Sequence, residues 1–376
     1  MVTDISLTFP FPYRVTTIPM NDTSYSVASI AKALDFNESD VLNVTVSNIS
    51  DGNGFVSQIL KVTVHLKSKE TRSVILKCPD SKLIHKSFEG TVQSENAAYF
   101  NREIEFYRNF LAHLSIPLPK IFETILWKPG KVHGGLLMED LSQNCHIQTV
   151  SQGFSLEQLL TIAGHLAHLH NSYLALSKFQ KLNYPILEGC VSFRTQLFAV
   201  KVAELAQEYP HLGDISTVME HLKDPNYHRY ASAQLGDGFG LPRVLVHGDL
   251  WSNNILWKNE NPAEVGAFLD WQGFFVGNLV YDLSRILLLC TSASTRRQHQ
   301  STIISYYYSR LLNPTFTEDT VVRAVEETMP YQCAHMMFVV RLLEDSYCEK
   351  ELHEMLDRVQ CALNDIRGHK TLFKEK

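Results

Sequence analysis

The spacing of apolar residues changes once along this chain of 376 residues, near Glu139–Leu141. That change limits what each part can fold into. Before it, apolar runs are short and end in polar or glycine-containing turns. Val41–Val46, Phe55–Leu66, Arg72–Cys78, Ile121–Trp127 and Gly135–Met138 read as strands of a mostly antiparallel sheet. Only Ser94–Leu114 and a short segment near Ser26–Leu34 read as helix there. After it, Ser155-Leu156-Glu157-Gln158 forms a capping box, and Leu159, Ile162, Ala163, Leu166 and Leu169 recur at helical spacing. Asp282–Cys290, Gln298–Leu312, Glu318–Glu327, Tyr331–Glu344 and Glu351–Arg367 read as further helices. The length suits two domains, with no internal repeat and no low-complexity linker. The expected class is α+β, with a small antiparallel β-rich lobe over residues 1–140 and a larger, mainly helical lobe over 141–376.

One polar loop interrupts the helical part. Val244-Leu245-Val246 leads into it and Ile255-Leu256-Trp257 leads out, so the segment reads as strand, loop, strand. The loop carries His247, then Asp249, then Asn254. Phosphoryl transfer from ATP needs such a set: an Asp to receive the acceptor hydroxyl's proton and an Asn to hold Mg²⁺. Ile255–Trp257 and Val265–Leu269 can pair through the polar turn Lys258–Glu264, which returns Asp270 to the side of Asn254. Their oxygens together suit a Mg²⁺ ion that bridges phosphates. Asp249, Asn254 and Asp270 are thus the candidate catalytic residues, and Asn254 and Asp270 the candidate metal ligands. A polar hairpin with incidental acids is the alternative, and the flanking strands weigh against it.

A kinase also needs a cation for the donor phosphates. Lys77 stands at the end of the strand Arg72–Cys78, on the face of Ile75, and would need a partner if buried. An exposed strand end is the other reading. Phe100, Glu103, Tyr107 and Phe110 fall on one helix face. Glu103 is then an acid inside an apolar stripe and the candidate partner of Lys77, unless it reaches water from the stripe's edge. Glu105, on another side, reads as a surface acid. Gly52, Gly54 and Ser57 lie in a turn whose backbone amides could approach phosphate, although a plain hairpin turn fits as well. No GxxxxGKS pattern occurs, which argues against a Walker-type ATPase. His247 reads as a group that holds its loop. His165 and His168 stand one helical turn apart without a third ligand near them. Asp282 is either an N-terminal helix acid or a buried brace for the loop.

Composition narrows the class. A chain that is 45% hydrophobic and 20% charged can bury a sizeable core. A net charge of −6 with scattered basic residues argues against a nucleic-acid partner. No stretch reaches the ~18 apolar residues of a membrane span. The seven cysteines include no CxxC, and Cys78, Cys290 and Cys333 sit in apolar contexts, which points to free thiols in a reducing compartment. The start, Met1-Val2-Thr3-Asp4-Ile5, lacks the pattern of a secretory signal, so the sequons at Asn21, Asn37, Asn43 and Asn48 read as chance matches. The expectation is a cytoplasmic protein without an obligate protein partner.

These segments together resemble the aminoglycoside phosphotransferase and choline kinase group. Within it they resemble the ecdysteroid kinase-like (CHK kinase-like) family, in its nematode branch. The resemblance rests on Gly52–Ser57, Val74–Pro79, Asn101–Tyr107, Leu136–Ser142, His247–Trp257 and Leu269–Leu287. It implies a bilobal, protein-kinase-like fold and an ATP- and Mg²⁺-dependent kinase of small-molecule hydroxyls. By position, Asp249 matches the catalytic base, Asn254 and Asp270 the metal ligands, Lys77 the phosphate-binding lysine and Glu103 its partner. Met138, Glu139 and Asp140 match the hinge that pairs with adenine, and Asp282 matches an acid that braces the loop. Gly248 replaces the Arg of protein kinases, Asp270-Trp271-Gln272 replaces Asp-Phe-Gly, and no long activation segment follows. Protein substrates are therefore not expected. A catalytically silent binding protein and a metal-dependent phosphoesterase are the rival readings.

Overall fold

The structure, a computed structural model, describes residues 25–50, 57–79, 93–177 and 181–374. It separates into two compact units, Met1–Arg108 with Pro119–Gln143, and Asn109–Leu118 with Asn144–Lys376. The first unit holds helix α1 (Val27–Ala33), strands β1 (Val41–Asn48), β2 (Ser57–Leu66) and β3 (Thr71–Pro79), most of helix α2 (Gln93–Phe110), and strands β4 (Ile121–Ile125) and β5 (Gly135–Glu139). The sheet runs β1-β2-β3-β5-β4, and every neighbouring pair is antiparallel. Alternation along β2 and β3 buries Leu60, Val62, Val64, Val74, Leu76 and Cys78 in one core with Ile30 of α1 and Leu137 of β5. A second cluster joins Ala97, Phe100 and Ile104 of α2 to Trp127.

Helix α2 departs from its sequence reading. It ends at Phe110, followed by a 3₁₀ turn at Leu111–His113. Arg102, Ile104 and Phe106 are buried along with the stripe of Phe100, Glu103, Tyr107 and Phe110, so most sides of the helix are covered. Glu105 is therefore half-buried rather than a surface acid, and burial raises its carboxyl above the usual range.

The second unit adds β6 (Cys145–Ile147), α3 (Leu156–Ala175), α4 (Glu188–Glu208), β7 (Arg243–Val246), β8 (Ile255–Lys258), β9 (Val265–Phe268), β10 (Phe275–Asn278), α5 (Tyr281–Leu289), α6 (Ala293–Ser309), α7 (Glu318–Leu343) and α8 (Glu349–Asp365). The capping box of α3 forms as expected, Ser155 with Gln158. Ser292 caps α6, which starts earlier than its apolar spacing suggests. Helix α7 runs unbroken through Pro330, where the sequence reads as two helices. A proline inside a helix costs about 3 kcal/mol. Burial of Met329, Tyr331, Cys333, Ala334 and Met336 on both sides of it offsets that cost. The helix packs on α4, α5 and α8. No described helix is long and apolar enough to cross a membrane.

Candidate active site

Strand β7 delivers the chain to the polar loop. Val246 pairs with Phe275 of β10, and both are buried, so the loop starts from a fixed point. Three local constraints then shape it. The Asp282 carboxylate, in the first turn of α5 and 1% exposed, accepts the backbone N–H of His247 at 2.7 Å and of Gly248 at 3.1 Å. Between helix acid and loop brace, the structure thus favours the brace. Burial raises the Asp282 carboxyl, and the two N–H groups and nearby Arg285 oppose that rise. Gly248 has φ +81°, and a Cβ there would run into the carbonyl oxygen of Gly273. Only glycine fits this turn. His247, 1% exposed, accepts from the Asp249 backbone N–H through Nδ1 at 3.3 Å. Its Nε2 therefore carries the proton and donates to the Leu269 carbonyl at 2.8 Å. The histidine is the structural tie expected of it.

The loop presents Asp249 with its side chain one-third exposed. Asn254, 7% exposed, donates through Nδ2 to the Asp249 carbonyl at 2.8 Å and to its Oδ2 at 3.3 Å. The expected hairpin forms: Ile255 faces Phe268, the register shifts between Leu256 and Trp257, and the Leu269 N–H bonds the Asn254 carbonyl at 2.9 Å. That pairing puts Asp270 next in line. Its backbone is left-handed, φ +63° and ψ 61°, a conformation that costs a non-glycine residue about 1–3 kcal/mol and concentrates at functional positions. Gln272 Nε2 donates to one oxygen of Asp270, at 3.1 Å.

This donor set fits Mg²⁺ on chemical grounds. No group of three His, Cys, Asp or Glu side chains that could hold a metal ion occurs among the described residues. Asn254 spends its amide nitrogen on Asp249, which turns its carbonyl oxygen towards other partners. One amide oxygen and one carboxylate are too few for a protein-only cage. They suit Mg²⁺, which keeps few protein ligands and takes the rest from phosphates and water.

The first unit holds the other candidates. Lys77, on β3 opposite Leu136 and Ile59, places Nζ 2.6 Å from Glu103 Oε2 of α2. Both side chains are under 7% exposed. The readings of Lys77 as an exposed strand end and of Glu103 as a solvated edge acid therefore fall. Ser57, 4% exposed, begins β2, and its hydroxyl has no partner among the described residues. Gly52 and Gly54 lie outside the described residues. Met138 is buried in β5, and the Glu139 N–H already donates to the Lys120 carbonyl at 2.9 Å. Asp140 turns its carboxylate into its own unit, accepting from Ser73 Oγ, Lys61 Nζ at 2.9 Å and the Ser142 N–H at 2.9 Å. Burial opposes that charge, but these hydrogen bonds outweigh it and hold the group at about 2.

Sequence reasoning passed over two residues. Arg285 Nη2 donates to Asp249 Oδ1 at 2.7 Å, and His335 contacts the same guanidinium. The signal was present: Arg285 directly precedes the apolar run Ile286–Leu289, and His335 is the one polar residue of the run Ala334–Val340.

Comparison with known proteins places these features in a family. An uncharacterized oxidoreductase of Caenorhabditis elegans, dhs-27, is 26% identical over 367 residues, covering 88% of this chain and 43% of that protein. The chain thus spans less than half of that relative's length. An uncharacterized kinase-like protein of C. elegans, D1044.1, is 24% identical over 308 residues, covering 76% of this chain and 78% of that protein. Among solved structures, the GDP and kanamycin complex of APH(2")-IIia aligns with TM-score 0.50 at 13% identity over 90% of this chain and 98% of that one, a likeness of fold. The pattern of the ecdysteroid kinase-like family matches residues 51–317, and the chain belongs to that family.

Proposed function

We propose that this protein transfers the γ-phosphoryl group of ATP to a hydroxyl of a small molecule of sterol or ecdysteroid, glycoside or amino-alcohol type. The observation that carries the reading is the set Asp249, Asn254 and Asp270. Asn254 is clamped to Asp249 by its amide nitrogen, and the Leu269 N–H, one residue before Asp270, bonds the Asn254 carbonyl. The nucleotide supplies the phosphoryl group, and a bound Mg²⁺ would supply positive charge against it. Asn254 and Asp270 would hold the ion through oxygen. Asp249 orients the acceptor hydroxyl and takes its proton as the new P–O bond forms and the bond from the γ-phosphorus to the bridging oxygen breaks, releasing ADP. Lys77, held by Glu103, meets the donor phosphates with one cation, and Ser57 lines their approach. The free cysteines fit a reducing, cytoplasmic setting.

The test is direct. Purified protein with Mg²⁺-ATP is offered a panel of sterols, glycosides and amino alcohols, and products are detected by the added mass of one phosphoryl group. Asp249→Asn abolishes transfer and leaves nucleotide binding intact. If Mg²⁺-ATP gives no thermal stabilisation, the kinase reading is wrong and a silent binding protein replaces it.

A further inference from the structure

Helix α5 touches the catalytic loop twice. Asp282 holds the backbone of His247 and Gly248. One turn later, Arg285 holds the side chain of Asp249. Arg285 is 2% exposed, and its Nε has no partner among the described residues. A buried guanidinium with a donor unmatched is costly, so packing alone does not account for it. Its Nη2 goes to Asp249 Oδ1 at 2.7 Å. Its Nη1 donates to one ring nitrogen of His335 on α7, Nε2 at 2.8 Å, and lies against Nδ1 as well. A guanidinium only donates, so the imidazole must accept and is neutral. Burial and the charge of Arg285 hold His335 well below the usual histidine range, with Arg194 and His228 adding to that effect.

We propose that Arg285 and His335 are positioning residues for Asp249: the neutral imidazole fixes one arm of the guanidinium, and the other arm fixes Oδ1 of the base. The assignment rests on the phosphotransferase reading above. With Oδ1 taken by Arg285 and Asn254 near Oδ2, the carboxylate has one orientation. The acceptor hydroxyl then meets Oδ2. Held in that orientation, Asp249 positions the hydroxyl before it takes the proton. That order suits a loose transition state in which nucleophile activation matters little. Two elements far apart in sequence, α5 and α7, thereby set the rotamer of one catalytic side chain.

The experiment measures ADP formed from Mg²⁺-ATP with water as acceptor, alongside Mg²⁺-ATP affinity and thermal melting. The double variant Arg285→Met/His335→Leu removes the buried guanidinium together with its imidazole, and the Asp249 carboxylate that it leaves is one-third exposed and reaches water. It is expected to fold, to keep KM for ATP within about twofold and to lose at least about tenfold in kcat. His335→Leu alone is expected to lose a comparable factor, and His335→Gln, whose amide oxygen can still accept from Arg285, to recover about fivefold of it. A double variant within about twofold of wild-type kcat overturns the assignment. So does a His335→Gln variant no faster than His335→Leu, since a purely structural role would not separate the two at equal stability. If the wild type forms no ADP and Mg²⁺-ATP does not stabilise it, the phosphotransferase reading fails first. If the wild type is active and these variants are too, only the positioning role fails.

Discussion

Gly248 offers a quantitative test of how the loop is built. Two terms act against a side chain at this position. Its φ of +81° lies in the left-handed region, which disfavours an L-residue by about 1–2 kcal/mol. A Cβ would also run into the Gly273 carbonyl oxygen and lie 3.0 Å from Phe275 Cε1. The first of these is backbone leading into β10, which pairing with β7 fixes, so it cannot swing aside as a flexible side chain would. Overpacking of this kind adds about 1–3 kcal/mol. Gly248→Ala should then lose about 2–5 kcal/mol in all. Gly130 is the internal control. It has φ +69°, with nothing within 4 Å of the place a Cβ would occupy. Gly130→Ala should lose only the backbone term, about 1–2 kcal/mol. Urea unfolding of both variants, compared at equal m-values, gives the difference. Equal losses in the two would refute the steric argument and leave the left-handed turn as the whole reason for the glycine. The same crowding explains why the Arg of protein kinases has no room here.

Three further outcomes follow from named contacts. Lys77→Met should lose about 3–5 kcal/mol by leaving Glu103 charged among buried surroundings. Lys77→Met/Glu103→Leu should lose less than the sum of the single variants, by about 1–3 kcal/mol in a double-mutant cycle; additive losses would mean the 2.6 Å contact is not coupled. Asp140 has its carboxyl lowered from 3.8 to about 2, with the side chain 1% exposed. Its charge therefore stabilises the fold above pH 4 and loses that effect as pH falls towards 2, by about 2 kcal/mol at about 1.4 kcal/mol per unit. Asp140→Asn should flatten acid unfolding over that window, and an unchanged curve would contradict the assignment. Asp282→Asn keeps one acceptor but turns an amide N–H₂ towards a backbone donor, so one of two buried N–H groups loses its partner. A loss of about 1–3 kcal/mol is expected, with faster amide exchange at His247 and Gly248 reporting the loosened loop.

Much of this architecture was legible because it depends on local pattern. The hairpin β8–β9 follows from two apolar runs and a polar turn, and it pairs Ile255 with Phe268 and the Leu269 N–H with the Asn254 carbonyl. Pairing of Lys77 with Glu103 follows because an acid in an apolar stripe needs a nearby cation. The alternatives left open at Asp282 needed coordinates, because a helix-start acid and a loop brace have the same sequence signature. Arg285 and His335 lie 50 residues apart, and no spacing rule joins α5 to α7. Pro330 misled for a different reason. Its local effect is a helix break, and tertiary burial along α7 overrides it. Glu105 was misjudged because covering elements on several sides of α2 cannot be read from the helix's own period.

The central claim is that Asp249 serves a phosphoryl transfer. Its most direct measurement uses γ-labelled Mg²⁺-ATP, an extract of small molecules, and two proteins, the wild type and Asp249→Asn. The account predicts a labelled product with the wild type only, while both proteins bind Mg²⁺-ATP with similar affinity. Equal labelling by Asp249→Asn, or no Mg²⁺-ATP binding by the wild type, would contradict it.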